Sequence, residues 1–273
     1  MNNLFLPSKS ALAAFALCTP VILLSARFCA AHQPQAREIM RNVYEQTASR
    51  SMEMNAAFEV FDRQGREKKK EFQYRRLNDG EKSRMLAVFT APEEVRGVAL
   101  LSIQQPGLAA EQYIYTPASG RVRSVAAQER SSRFLGTDFS YEEIDERALD
   151  DFSYRLIGDQ ESIDGRKTYK IEARPVSAGR SQYGYIYYWI AQDAPVIVYA
   201  QMFDSSGALM RTLHATGLRR ANGVWGARQT EMSTPAEGTR TVLSIEKVEF
   251  NLPLDASAFT PQALAAPAAR PRR

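Results

Sequence analysis

Three carboxylates lie close together in the middle of the chain, Asp138, Glu142 and Glu143. A pair of such acids is the equipment of a glycosidase-type hydrolase. Their setting, Phe134-Leu135-Gly136-Thr137-Asp138-Phe139-Ser140-Tyr141-Glu142, supports a plainer reading as well. Thr137 or Asp138 caps a short helical turn, Glu142 and Glu143 face water near the favourable end of the helix dipole, and Phe139, Tyr141 and Ile144 share an apolar space. His214 is the only histidine within the folded part, on a strand-like run without a second histidine or carboxylate pair at ligand spacing. It is therefore assigned neither a metal nor a general-base role. No Gly-x-Ser-x-Gly elbow, phosphate loop or Gly-rich dinucleotide turn occurs. No catalytic, cofactor-binding or metal-binding residue is predicted.

The elements that must position these residues begin after a leader. Lys9 precedes an apolar segment from Ala11 to Ala26, broken at Pro20, and Cys29, Ala30 and Ala31 supply a small-residue site. This is the pattern of a cleavable secretory signal over residues 1–31, cut after Ala31, and it is too short for a membrane span. Cleavage removes Cys18 and Cys29, the only cysteines, and with them any disulfide, thiol nucleophile or thiolate metal site. Losing Lys9 and Arg27 takes the formal net charge from +4 to +2. The basic cluster at Arg66–Lys70, Arg75 and Arg76 alternates with Glu67 and Glu71, as on a solvated strand, so no nucleic-acid partner is expected. Residues 32–262 read as one domain. Residues 263–273, rich in Pro, Ala and Arg, read as a disordered tail with weak attraction for anionic lipid.

Within the domain, Ile39, Met40, Val43 and Tyr44 recur at helical spacing and predict a helix from about Pro34 to Ala48. From Met52 the period becomes two, with Met52, Met54, Ala56, Phe58 and Val60 on one face. Strands are predicted at 98–103, 112–115 and 122–125. After the segment at 130–150 a meander runs through Ser153–Gly158, Thr168–Ala173, Tyr183–Ile190 and Val196–Phe203. Asp164-Gly165 and Asn222-Gly223 supply the positive φ angles of tight hairpins. Short hairpins pair sequence neighbours, so a large, curved antiparallel sheet follows. Along Tyr183–Ile190 both faces are apolar, with Tyr183, Tyr185, Tyr187 and Trp189 on one and Ile186, Tyr188 and Ile190 on the other.

The segment at 134–142, together with Tyr154-Arg155-Leu156, Ile163-Asp164-Gly165-Arg166, Trp189-Ile190, Asn222-Gly223-Val224-Trp225 and Phe259-Thr260, resembles the outer-membrane lipoprotein-sorting-like proteins of the LolA-like superfamily. The likeness spans nearly the whole mature chain. It departs after Trp189, where an acidic residue is common and Ala191 stands instead. The resemblance implies a mainly β (α+β) fold, a half-open β-barrel whose large curved antiparallel sheet has helices against its concave face. It implies an apolar cavity and no catalytic residue. The cavity candidates are Phe89, Leu101, Ile103, Tyr113, Tyr115 and Phe134, with Leu135, Phe139, Tyr141, Tyr185, Tyr187 and Trp189.

The leading expectation is a monomeric periplasmic carrier that binds acyl chains of a lipid or lipoprotein and transfers them toward the outer membrane. The resemblance further implies an exporter of the resistance-nodulation-division class as companion, and transient membrane contact. Two other readings remain open, a structural adaptor of a transporter that carries no cargo, and a secreted hydrolase working through Asp138 and Glu142.

Overall fold

The computed structural model describes residues 25–46, 50–80, 82–145, 147–177, 179 and 181–265, with side chains from residue 35 onward. Residues 1–24 and 266–273, which hold most of the expected secretory signal at 1–31 and of the expected tail at 263–273, lie outside the described residues. Helix α1 covers Ser25–Glu45. It begins before Pro34, the expected start, because the alanine-containing run ahead of that proline also favours helix.

Strands β1 (Ser51–Phe61), β2 (Glu67–Asn78), β3 (Ser83–Ala91), β4 (Ala99–Gln104), β5 (Glu111–Thr116) and β6 (Arg121–Ser124) form the first half. The next segment carries the one-turn helix α2 (Tyr141–Ile144). Then come β7 (Phe152–Gly158), β8 (Ser162–Ile163), β9 (Arg166–Pro175), β10 (Tyr185–Ala191) and β11 (Ile197–Phe203). The chain continues through β12 (Leu209–Thr216), β13 (Arg219–Ala221), β14 (Val224–Gly226), β15 (Gln229–Thr234) and β16 (Thr239–Phe250) to helix α3 (Pro261–Leu264).

One antiparallel sheet has the order β6-β5-β4-β3-β2-β1-β16-β15-β12-β11-β10-β9-β7, with β8 paired to β9; β13 and β14 form a separate hairpin. The sheet is not closed: β6 and β7, neighbours in sequence, stand at its opposite edges. The connection between them, residues 125–151, therefore crosses the concave face from edge to edge as a strap. Hairpin logic predicts most of the neighbours and misses this crossover, because a long connection carries no turn signal for where it lands.

The two sheet faces bury different cores. On the concave face Phe58, Phe72, Met85, Ala87, Phe89 and Leu100 from the first half meet Ile171, Ile186, Tyr188, Ala200 and Met202 from the second. Helix α1 adds Ala36, Met40 and Val43. An aromatic chain ties sheet to strap, with ring centres 4.8 Å apart for Phe58 and Phe72, 5.3 Å for Phe72 and Phe89, 5.7 Å for Phe89 and Phe134, and 5.3 Å for Phe134 and Tyr141. Stacked, tilted and edge contacts of this kind add to the burial of large apolar area. On the convex face Leu86, Val88, Ala99 and Leu101 are sealed by Phe259 and Leu264. Ordered structure thus runs two residues past the expected boundary at 262, since Leu264 is buried in that cluster. A second convex cluster gathers Trp189, Ala191, Ala194, Val196 and Val198.

Candidate functional site

Between the concave face, the end of α1, the strap and the β13–β14 hairpin lies a cavity of about 580 Å³. It falls within the roughly 300–1,000 Å³ typical of small-molecule sites. Its wall is mainly aliphatic: Val43 from α1, Met52 and Met54 from β1, Met202, Leu213 and Met232 from the central strands, and Val248 and Phe250 from β16. Unbranched methionines suit a wall that must fit irregular or varied apolar shapes. The strap contributes Phe139, Glu143, Asp145 and Arg147, and β10 contributes Tyr188. Phe139 and Tyr188 are buried and the side chains of Glu143, Asp145 and Arg147 are only 5%, 4% and 15% exposed, whereas Val224, Trp225 and Gly226 of the hairpin are half-buried and Arg219 is exposed. The strap therefore closes one end, and the hairpin borders the mouth. Gln46, just past α1, accepts a hydrogen bond from the Trp225 amide at 3.2 Å and donates to the Pro195 carbonyl, tying the hairpin to helix and sheet.

The strap is held by polar contacts that its sequence does not advertise. Asp138 is fully buried. Its carboxylate accepts from the hydroxyls of Thr234 at 2.7 Å, Thr239 at 2.6 Å and Thr241 at 2.8 Å, and from Arg133 at 3.0 Å. Arg133 also reaches Glu237 at 2.8 Å, so strap and β15–β16 hairpin are locked together. Ahead of this lock the backbone reverses through Leu135 (φ 48°) and Gly136 (φ 75°), and Phe134 N–H donates to the Phe139 carbonyl at 2.8 Å.

Capture by threonines takes Asp138 away from the capping role proposed for it. Ser140 occupies the N-cap of α2, and Glu143 accepts from the Ser140 amide at 2.6 Å. Glu142 and Glu143, expected to face water, are turned inward instead, with side chains only 9% and 5% exposed. Burial is tolerable because each is satisfied. Glu142 accepts from Ser181 and from the Gln182 amide at 2.9 Å. Glu143 accepts from Arg211 at 2.7 Å and from the Tyr183 hydroxyl. Arg147 stands between these acids and Tyr188, donating to its hydroxyl, and its guanidinium lies 5.6 Å and 5.7 Å from the ring centres of Phe152 and Tyr183. Burial raises the pKa of the Tyr188 phenol, which stays protonated. Asp145 accepts from Ser102, Gln112 and Arg130. Burial outweighs those bonds and pushes its carboxyl up to about 6.

Behind Asp145 and Arg147 is a second, polar pocket of about 310 Å³, lined among others by Gln128, Arg130, Ser131, Glu142, Ser181 and Gln182. The acids of the hydrolase reading are thus spread apart in role: Asp138 lines neither space, and Glu142 borders only the polar pocket. Among the described residues no group of three or more His, Cys, Asp or Glu is placed to hold a metal ion. His214 pairs with Asp164 at 2.7 Å at the surface.

Of the candidate cavity residues, Phe139 lines the large cavity. Phe89, Phe134 and Tyr141 belong to the concave core around it, with Leu135 packed on that core. Leu101, Ile103, Tyr113 and Tyr115 lie in the convex cluster under Leu264, since their alternation places them opposite Leu100 and Ile114. Tyr185, Tyr187 and Trp189 are also convex, where Tyr185 stacks on Phe203 with ring centres 4.7 Å apart and Lys170 lies 4.6 Å from the Trp189 ring centre. The other side of the same strand, Tyr188, meets the cavity. Sequence reasoning missed Arg147, Tyr188, Met202, Met232 and Trp225. The alternating Met52 and Met54 were the available signal for the wall, and nothing local marked Arg147.

Among the described residues no helix is long and apolar enough to cross a membrane. A family model described as uncharacterized proteins matches residues 81–266. No curated protein matches the chain. Among solved structures, a DUF1329 family protein from Desulfovibrio piger superposes with a TM-score of 0.81 at 22% identity, over 85% of this chain and 99% of that one. A domain named for outer-membrane lipoprotein sorting, from Vibrio parahaemolyticus, gives 0.80 at 21% identity over 85% and 99%. A LolA superfamily protein from Nitrosomonas europaea gives 0.66 at 20% identity over 82% and 97%. The chain belongs to the family that the model describes, and its half-open barrel is the fold of the outer-membrane lipoprotein-sorting and LolA superfamily proteins.

Proposed function

We propose that the protein is a non-catalytic periplasmic carrier that shields acyl chains of a lipid or lipoprotein while they cross an aqueous gap toward the outer membrane. The observation that carries this reading is the 580 Å³ methionine-rich cavity, closed at the strap and bordered at its mouth by a hairpin outside the main sheet. Exposing an acyl chain to water costs about 0.8 kcal/mol per CH2, so a carrier must offer apolar wall over most of the chain. It must also let go. A receptor or membrane that competes for the chains supplies the release step, since a ligand that only binds stays bound. The resemblance supports a companion exporter of the resistance-nodulation-division class and a monomeric carrier. The leader supports export with cleavage after Ala31. Such a cut leaves every cavity residue of α1 in place, because the lining begins at Val43.

Two measurements test this. Organic extraction and mass spectrometry of protein purified from its native compartment should recover acyl species in near-stoichiometric amount; an empty cavity with a stable transporter complex would favour the adaptor. Intact mass should place the mature amino terminus at His32, and a mass carrying diacylglycerol on Cys29 would overturn the leader assignment.

A further inference from the structure

The polar groups at the closed end of the cavity have a use that shielding acyl chains does not require. Arg147 donates from Nη1 to the Tyr188 hydroxyl at 2.5 Å. Its Nη2 is buried and has no hydrogen-bond partner. The carboxylate oxygens of Glu142 and Glu143 stand 3.7 Å and 3.9 Å from it, close enough to balance its charge and too far to accept a hydrogen bond. An orphaned guanidinium N–H at the closed end of a cavity marks a place for an acceptor oxygen.

The charges around it say which kind. Arg147 and Arg211 are matched by Glu142 and Glu143, and Arg130 is matched by Asp145. An anionic head group brought to Arg147 would add a negative charge beside two carboxylates already in balance, in a site too buried for water to screen it. A cationic head would meet the guanidinium. An uncharged oxygen accepts the free N–H without disturbing either pair. Beyond Asp145 and Arg147 the second pocket is lined by Gln128, Ser131, Ser181 and Gln182. Ser181 and Gln182 already donate to Glu142, Ser140 and Glu143, so a further hydroxyl group would meet the Gln128 amide and the serine hydroxyl oxygens as acceptors.

Resting on the carrier reading, we propose that the closed end is a head-group subsite selecting an uncharged, oxygen-bearing amphiphile of the monoacylglycerol class, with a hydroxyl or ester oxygen accepting from Arg147 Nη2. Arg76 and Arg219, the other guanidiniums of the cavity wall, stand on β2 and β13. They are where an anionic head would go if the ligand entered the other way round.

The test is competition against a fluorescent naphthylamine probe by two ligands with the same chain and glycerol, monopalmitoylglycerol and its phosphate. The wild-type protein should prefer the uncharged ligand by at least about tenfold. In Arg147→Lys, where a single nitrogen replaces two, the ratio should fall to about one. Equal or tighter binding of the phosphate by wild type overturns the proposal and moves the head to Arg76 or Arg219. A wild-type preference that survives in Arg147→Lys removes Arg147 from the subsite. If neither the probe nor either ligand binds, the carrier reading itself falls. The wild-type ratio decides the head-group question even if the variant does not fold.

Discussion

At its closed end the cavity is walled by the strap, whose Asp138, Glu142 and Glu143 are buried and each held by at least two donors. At its mouth it is bordered by β13–β14, a hairpin outside the main sheet with half-buried Val224 and Trp225 and exposed Asn222. Cooperative polar networks resist local opening, while a hairpin with few buried contacts belongs to the low-stability end of a fold. On the proposed carrier reading the two ends would do different work, the strap shaping the site and the hairpin letting ligand pass.

Breaking the closed end should have the largest effect. Asp138→Ala strands three threonine hydroxyls and Arg133. We expect a loss of about 3–5 kcal/mol in urea-induced unfolding, the usual range when one partner of a buried charged set is removed. A loss under about 1 kcal/mol would show that the strap is not anchored there.

Next in size is a pH effect at Asp145. Its folded pKa of about 6 lies above the ordinary 3.8. Its contribution to stability is therefore fully present below about pH 4 and is lost as pH rises through 6. At about 1.4 kcal/mol per unit the change amounts to up to about 3 kcal/mol. Asp145→Asn lacks that titration, so wild type should lose stability relative to the variant between pH 4 and 6. Parallel curves in denaturant unfolding would remove Asp145 as the source.

Smaller effects belong to the mouth. Asn222 sits at φ 49°, a region a β-branched residue avoids, and Asn222→Val should lower stability by about 1–2 kcal/mol in thermal unfolding. Trp225→Ala should cost least, about 1 kcal/mol or less, yet speed release of a bound fluorescent acyl probe in stopped flow. An unchanged release rate would mean that ligand leaves elsewhere.

Much of this fold is legible in the residues themselves. The alternation of Met52, Met54, Ala56, Phe58 and Val60 places one face of β1 correctly, because a half-buried strand alternates its environment residue by residue. Asp164-Gly165 and Asn222-Gly223 adopt the positive φ angles expected of them. The site is less legible. Tyr183–Ile190 is apolar on both sides, so period alone could not say whether Tyr187 or Tyr188 meets the cavity. Glu142 and Glu143 look like solvated acids, since nothing near them in sequence reveals Arg211, Ser181 and Tyr183 as their partners.

By itself the sequence determined what nearest neighbours along the chain can enforce: strand and turn positions, the pairing across short hairpins, and the apolar segment at 134–144 packed as a unit. Tertiary structure alone decided that β6 and β7 lie at opposite edges, that the strap crosses the concave face, and that Arg147 ends beside Tyr188 at the floor of a cavity. Those outcomes depend on contacts between residues far apart in sequence, whose free energy appears only once the sheet has curved and buried them together.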